Sequence, residues 1–263
     1  MCELLGLCSP APVSARFSLR RLARHARGPG QPIDGWGVVL YDGADLRCYR
    51  EPEPAGKSAW LRFIEHHQPP ARLLISHIRL ATAGMVSLSN THPFVRELGG
   101  HMHSFAHNGR LVGVVGLRDA GATCCRPVGQ SDSEAAFCIL LERLAPLWAA
   151  GIPPPAARLA VVTRFAAELR ALGPANFLYS DGLLLFAHAD RRHQPDGRIA
   201  PPGLWHLGCA CADADMALHR AGVALADAAD PHHIDVFASV PLSAAPWRPM
   251  QAGEVAMVAP EPI

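Results

Sequence analysis

The chain has 263 residues, 49% of them hydrophobic, and a formal charge of +1, with Lys57 its only lysine. That length suits one sizeable domain, and so balanced a charge sets up no field that would draw nucleic acid or an acidic membrane surface. No apolar run reaches the roughly 18 to 20 residues that span a bilayer, and no basic stretch with an apolar core opens the chain, so a soluble, cytoplasmic protein with no membrane partner is expected.

Met1-Cys2 comes first. A small side chain at position 2 lets an aminopeptidase remove Met1, which would put a thiol with an ordinary pKa of about 8.5 beside a free α-amine near ~8. Such an amine can act as base for its own side chain, and the thiolate is intrinsically reactive. Glu3 to Cys8 reads as a short buried strand ended by Pro10 and Pro12, followed by an amphipathic helix over residues 16 to 26 that Gly28-Pro29-Gly30 breaks. Asp34-Gly35-Trp36-Gly37 then leads into a hairpin, Val38 to Tyr41 and Leu46 to Tyr49, around a turn at Asp42-Gly43-Ala44-Asp45. Trp36 between its glycines is either a packing residue or a pocket wall.

Lys57 to His67 has helical spacing and stops before Pro69-Pro70. Gly56-Lys57-Ser58 is not the end of a phosphate-binding loop, because Glu51 stands where that motif needs glycine. Arg72 to Arg79 is a strand, Asn90-Thr91-His92-Pro93-Phe94 a loop, and His101 to His107 a strand ending at Asn108-Gly109. His101, His103 and His107 share one strand parity, as metal ligands would. Packing and hydrogen bonding are the favoured reading, since no convincing carboxylate or thiolate ligand is near in sequence, and no metal is expected. Ser131 followed by Glu134 forms a capping box, with the helix body running to Leu144. A second helix runs from Ala156 to about Leu172, where Gly173-Pro174 stops it.

Asn176 to Ser180 and Leu183 to His188 flank Asp181-Gly182, a two-residue hairpin signal. Arg191-Arg192-His193 reads as a solvated loop, and further strands are expected at Leu204 to Cys209, Ile234 to Val240 and Glu254 to Val258. The eight cysteines include no C-x-x-C pair, so they read as reduced thiols, Cys124-Cys125 and Cys209/Cys211 among them. Hairpins alternating with pairs of helices predict an α+β fold, antiparallel sheet covered by helices, in one domain over residues 1–263.

Five pieces stand in a fixed order: Met1-Cys2-Glu3-Leu4-Leu5-Gly6, Asp34-Gly35-Trp36-Gly37, His77-Ile78-Arg79-Leu80-Ala81-Thr82-Ala83-Gly84, His107-Asn108-Gly109 and Ser131-Asp132-Ser133-Glu134. Together they resemble the glutaminase domain of class II glutamine amidotransferases, members of the N-terminal-nucleophile hydrolase superfamily. The likeness is greatest to small standalone members, whose Asn90-to-Phe94 and Ala238-Ser239-Val240-Pro241-Leu242 segments look similar. The resemblance implies a four-layer αββα sandwich of two antiparallel sheets flanked by helices. It implies that Cys2 attacks the side-chain amide of glutamine to give a γ-glutamyl thioester and ammonia, with Asn108 and the Gly109 N–H facing the oxyanion. Arg79 would take the α-carboxylate and Asp132 the α-ammonium, with Thr82 and Trp36 also in the substrate site; no cofactor is implied. Taken one at a time, Arg79 could be a surface charge, Asn108-Gly109 a turn, and Asp132 a helix-start charge. An ammonia acceptor would be a separate synthase subunit. A γ-glutamyl amide on a larger metabolite is an alternative substrate, and a non-catalytic binding or regulatory member an alternative role.

Overall fold

The structure is a computed structural model and describes residues 2–17, 34–67, 69–80, 85–118, 125–194, 196–210, 223–226 and 233–260. In chain order the strands are β1 (Glu3–Phe17), β2 (Gly35–Asp42), β3 (Asp45–Glu51), β4 (Ala71–Arg79), β5 (Phe94–Leu98), β6 (His101–Gly109), β7 (Ala175–Ser180) and β8 (Leu185–His188). They continue with β9 (Arg192–His193), β10 (Ile199–Ala200), β11 (Trp205–Ala210), β12 (Val223–Ala226), β13 (His233–Ala238), β14 (Arg248–Pro249) and β15 (Val255–Val258). The described helices are α1 (Ala59–His67), α2 (Asp132–Trp148) and α3 (Pro155–Leu172).

Two antiparallel sheets make the body. The first runs β14-β11-β13-β1-β4-β2-β3, with β12 also on β1, and the second runs β15-β8-β7-β6-β5. Side chains alternate across a strand, and here the alternation sorts three apolar clusters. Leu4 and Cys8 of β1, Val39 and Tyr41 of β2, and Leu73 and Ile75 of β4 meet Ala106, Leu178, Leu185 and Ala187 of the second sheet. The opposite face of the first sheet, with Leu5, Leu7, Trp36, Val38 and Leu74, packs on Leu61 and Ile64 of α1. The outer face of the second, with Phe105, Phe177 and Phe186, packs on Phe137, Leu141, Phe165 and Leu169 of α2 and α3. The resulting order is helix, sheet, sheet, helices, and each fully buried Leu, Val or Phe contributes about 1.5–3 kcal/mol to holding it.

Several expectations are corrected here. The first strand does not stop at Pro10 and Pro12 but reaches Phe17. The register against β4 slips between Cys8 and Val13. Prolines are tolerated at such an irregularity because no ladder N–H is required of them. Arg16 and Phe17 are therefore strand, pairing with Ala224 and Val223, while the rest of the expected 16–26 helix lies outside the described residues. Helix α2 continues past Leu144 through Pro146 to Trp148. Between β7 and β8 the loop has four residues, not two, since Ser180 pairs with Leu185. The Asp181 carboxylate accepts the N–H groups of Leu183 and Leu184 at 3.1 and 2.9 Å, and Arg158 neutralises it at 2.8 Å. The hairpin at Gly43-Ala44 is as expected, with Gly43 at φ 64°.

Candidate active site

Antiparallel pairing sets Glu3 opposite Ile78, which brings position 2 alongside the end of β4. Cys2 Sγ accepts the Leu80 N–H at 3.1 Å and donates to the Leu80 carbonyl at 3.3 Å. Burial pushes its thiol pKa up, an effect the Leu80 N–H opposes in part. A thiol held in its neutral form needs a base before it can attack.

Strand parity decides what surrounds it. On β6, Ala106 faces the first sheet and Phe105 faces the helices, so Asn108 shares the first direction and His107 the second. Asn108 accordingly reaches across the sandwich. Its Nδ2 donates to the Cys2 carbonyl at 2.8 Å and to Ser239 Oγ at 3.2 Å, and its Oδ1 accepts from His77 Nε2 at 2.9 Å. That network assigns the His77 tautomer with hydrogen on Nε2, and burial drops the His77 pKa to about 3, which keeps the ring neutral. His107 turns instead toward α2, its Nδ1 2.9 Å from Ser133 Oγ, and burial lowers it to about 4.

Gly109 has φ 153°, and a Cβ there would overlap the Pro174 carbonyl. Only glycine lets the chain pass this close. Beyond it, the Leu111 N–H donates to Asp132 Oδ2 at 2.7 Å while Asp132 Oδ1 accepts from Ser133 N at 2.8 Å. The cap of α2 differs from the expected box: Ser131 Oγ accepts from Ser133 N at 3.2 Å, and Glu134 accepts from Gly129 N at 2.7 Å and pairs with Arg96. The extra partner on the loop bends residues 129–131 toward Asn90, whose Oδ1 accepts the Gln130 N–H at 2.9 Å.

Cys2, Arg79, Gly109 and Asp132 line one cavity of about 310 Å³, floored by His77, His92 and His107. That volume lies at the small end of ordinary ligand sites. Arg79 is buried rather than a surface charge. The cavity thus presents a guanidinium and a carboxylate with a thiol between strand ends, a pattern suited to the charged head of a free amino acid. Asn108 stands at its edge, in the wall of a second cavity that also holds Cys2 and Gly109.

Two expected substrate residues fare differently. Trp36 is fully buried in the cluster against α1, its indole N–H donating to Glu51 at 3.0 Å, and it lines neither cavity. Its parity is opposite to that of Gly35 and Gly37, whose missing side chains leave room for Thr91 and for the His92 carbonyl. Thr82 lies outside the described residues. Of the three histidines on β6, His103 bonds Tyr179 Oη at 2.7 Å and the Leu98 carbonyl at 3.1 Å, and His101 packs on Trp148; no metal-ligand cluster occurs among the described residues.

Sequence reasoning missed two positioning residues. Ser239 Oγ accepts the Leu4 N–H at 2.9 Å as well as the Asn108 amide. Arg192, read as solvated, is half-buried, and its largely covered side chain forks onto Glu3 at 3.0 and 3.4 Å while donating to the Ser239 carbonyl. Glu3 beside Cys2 was the available signal, because a buried carboxylate needs a cation.

The family model described as "Glutamine amidotransferases class-II" matches residues 1–260. Over 204 residues the chain is 37% identical to the Escherichia coli (strain K12) protein YafJ, provisionally named a glutamine amidotransferase, covering 78% of this chain and 79% of that one. Among solved structures it is similar to a glutamine amidotransferase, so predicted, from Pseudomonas aeruginosa PA01, with TM-score 0.67, 29% identity and 98% of each chain covered. The glutamine phosphoribosylpyrophosphate amidotransferase of B. subtilis shares the fold at TM-score 0.59 and 17% identity, over 98% of this chain and 47% of that one.

Proposed function

Because the chain belongs to the class II glutamine amidotransferases, we propose that it cleaves the γ-amide of glutamine or of a γ-glutamyl amide, with Cys2 as nucleophile once Met1 is removed. The observation that carries this reading is the shared cavity of Cys2, Arg79, Gly109 and Asp132. In it Arg79 takes the α-carboxylate and Asp132 the α-ammonium, which fixes the side-chain amide carbon beside sulfur. The Cys2 α-amine takes the thiol proton, sulfur bonds to the amide carbon, and charge develops on the amide oxygen.

The Gly109 N–H and one hydrogen of the Asn108 amide meet that charge. Of the two Asn108 bonds, the 3.2 Å one to Ser239 is the longer and the one exchanged for the oxyanion, while the 2.8 Å bond keeps hold of Cys2. Each such donor is worth about 2.7–4 kcal/mol at the transition state. The carbon–nitrogen bond then breaks, the amine returns its proton to the leaving nitrogen, and ammonia departs. Water attacks the thioester, giving glutamate and the thiol. Ammonia destined for synthesis would pass to an acceptor on another protein.

Intact mass before and after treatment with a glutamine-like diazoketone tests this. The expected result is a chain lacking Met1 that gains one adduct and loses glutaminase activity, with Cys2→Ala gaining none. Active protein that retains Met1 would overturn the mechanism.

A further inference from the structure

The second cavity is the larger of the two that meet at Cys2, about 440 Å³ against about 310 Å³. The two share Cys2, Gly109, Arg110 and Val112 but are otherwise built from different parts of the fold. The first holds the charged head site. The second opens on the far side of Asn108-Gly109, under the β9–β10 hairpin and beside the end of α3. A leaving ammonia is one heavy atom and has no use for such a space.

Its lining has two chemical characters. Val112, Leu172, Pro174 and Ile199 make an apolar wall. Among the described residues, every ionisable one in the lining apart from the Cys2 thiol is basic: Arg110, Arg191, Arg192 and His193. Arg192 is neutralised by Glu3 at 3.0 Å. Arg191 lies 3.7 Å from Asp190, but that carboxylate also serves Arg170 at 3.0 Å, so one anion stands against two cations. Arg191 and His193 remain solvent-accessible at the outer end.

We propose that this cavity receives the amine half of a γ-glutamyl amide whose nitrogen carries an apolar stem ending in an anionic group, an ω-amino acid in chemical class. The inference rests on the γ-glutamyl thioester reading above and specifies its substrate. With the glutamyl head on Arg79 and Asp132, the scissile bond lies over Cys2 and the nitrogen substituent runs past Asn108 along the apolar wall toward Arg191. Sulfur displaces the amine, which carries away the proton relayed by the Cys2 α-amine, and water then releases glutamate. Amide plus water gives glutamate plus amine, with no further reactant.

The test compares kcat/KM of the full chain on free glutamine, on γ-glutamyl-aminohexanoate, and on the γ-glutamyl amide of hexylamine, a neutral analogue of similar reach. The anionic amide is expected to exceed glutamine by at least about tenfold and the neutral amide by several-fold, with the anionic preference shrinking as salt rises. Arg191→Glu and, separately, Ile199→Asp on the exposed rim should each collapse the anionic-to-neutral ratio. Glutamine turned over as well as either amide, or a ratio that neither variant moves, overturns the proposal. Alkylation of Cys2 by the diazoketone in the same preparation separates the two levels. An alkylated enzyme without amide preference sinks this inference alone, whereas no alkylation and no turnover of any substrate sinks the mechanism and this inference with it.

Discussion

The side-chain amide of Asn108 donates to the backbone carbonyl of Cys2 at 2.8 Å, so the end of one sheet holds the beginning of the other. The same side chain is fixed by His77 at 2.9 Å. Asn108→Ala removes the tether and, under the proposed mechanism, an oxyanion donor, so kcat on glutamine should fall about 10²–10³-fold with little change in KM. A KM effect without a kcat effect in steady-state kinetics would assign Asn108 to substrate binding instead.

In the proposed function Arg79 holds the α-carboxylate through a planar fork that lysine cannot reproduce. Arg79→Lys should lower kcat/KM on glutamine about 10–100-fold, the scale of losing one charge-assisted hydrogen bond. The informative control is glutamine with its α-carboxylate amidated: the wild type should discriminate strongly against it, and the variant should not. Equal discrimination by both proteins would place the carboxylate elsewhere.

Glu3 and Arg192 form an ion pair whose side chains are 1% and 9% exposed. Removing one member strands the other, so Glu3→Gln should cost about 3–5 kcal/mol in denaturant unfolding. The double variant Glu3→Gln with Arg192→Met should recover part of that loss, because no buried charge is then left alone. A single variant as stable as wild type would show the pair to be dispensable.

Burial drops His77 to about 3, and His103, His107 and His188 to about 4. Their folded values lie below the unfolded value near 6.5, so the unfolded chain takes up protons first as pH falls. The stability they confer is fully present above about pH 6.5 and is lost as pH drops toward 4 and 3, by up to about 1.4 kcal/mol per pH unit for each proton. Carboxylates ordinarily titrate lower, near 4, so unfolding free energies measured between pH 7.5 and about 5.5 isolate the histidines; a flat profile there would contradict their neutral burial.

Gly109 and Gly43 both have positive φ, 153° and 64°, but only Gly109 abuts backbone, at Pro174, while Gly43 faces open space. Gly43→Ala should cost about 1–2 kcal/mol, the left-handed penalty alone. Gly109→Ala should cost more and abolish turnover, because the strand end beside Cys2 must shift. Comparable melting temperatures for the two variants would argue that the Pro174 contact relaxes freely.

Sequence alone carried the ordered motifs, and with them the family, the α+β class and most element positions, because hydrophobic period and turn chemistry are local properties. It could also nominate Cys2, Arg79, Asn108, Gly109 and Asp132. What only the folded chain decided was direction and company. Trp36 was nominated for the pocket, yet strand parity sends it toward α1, while its glycine neighbours on the other face make room for Thr91 and the His92 carbonyl. Arg192 read as solvated until pairing of β1 with β13 brought Glu3 and Ser239 beneath it, a contact spanning 189 residues. No window of sequence contains both partners of such a pair, and a buried charge declares its role only when the opposite charge arrives.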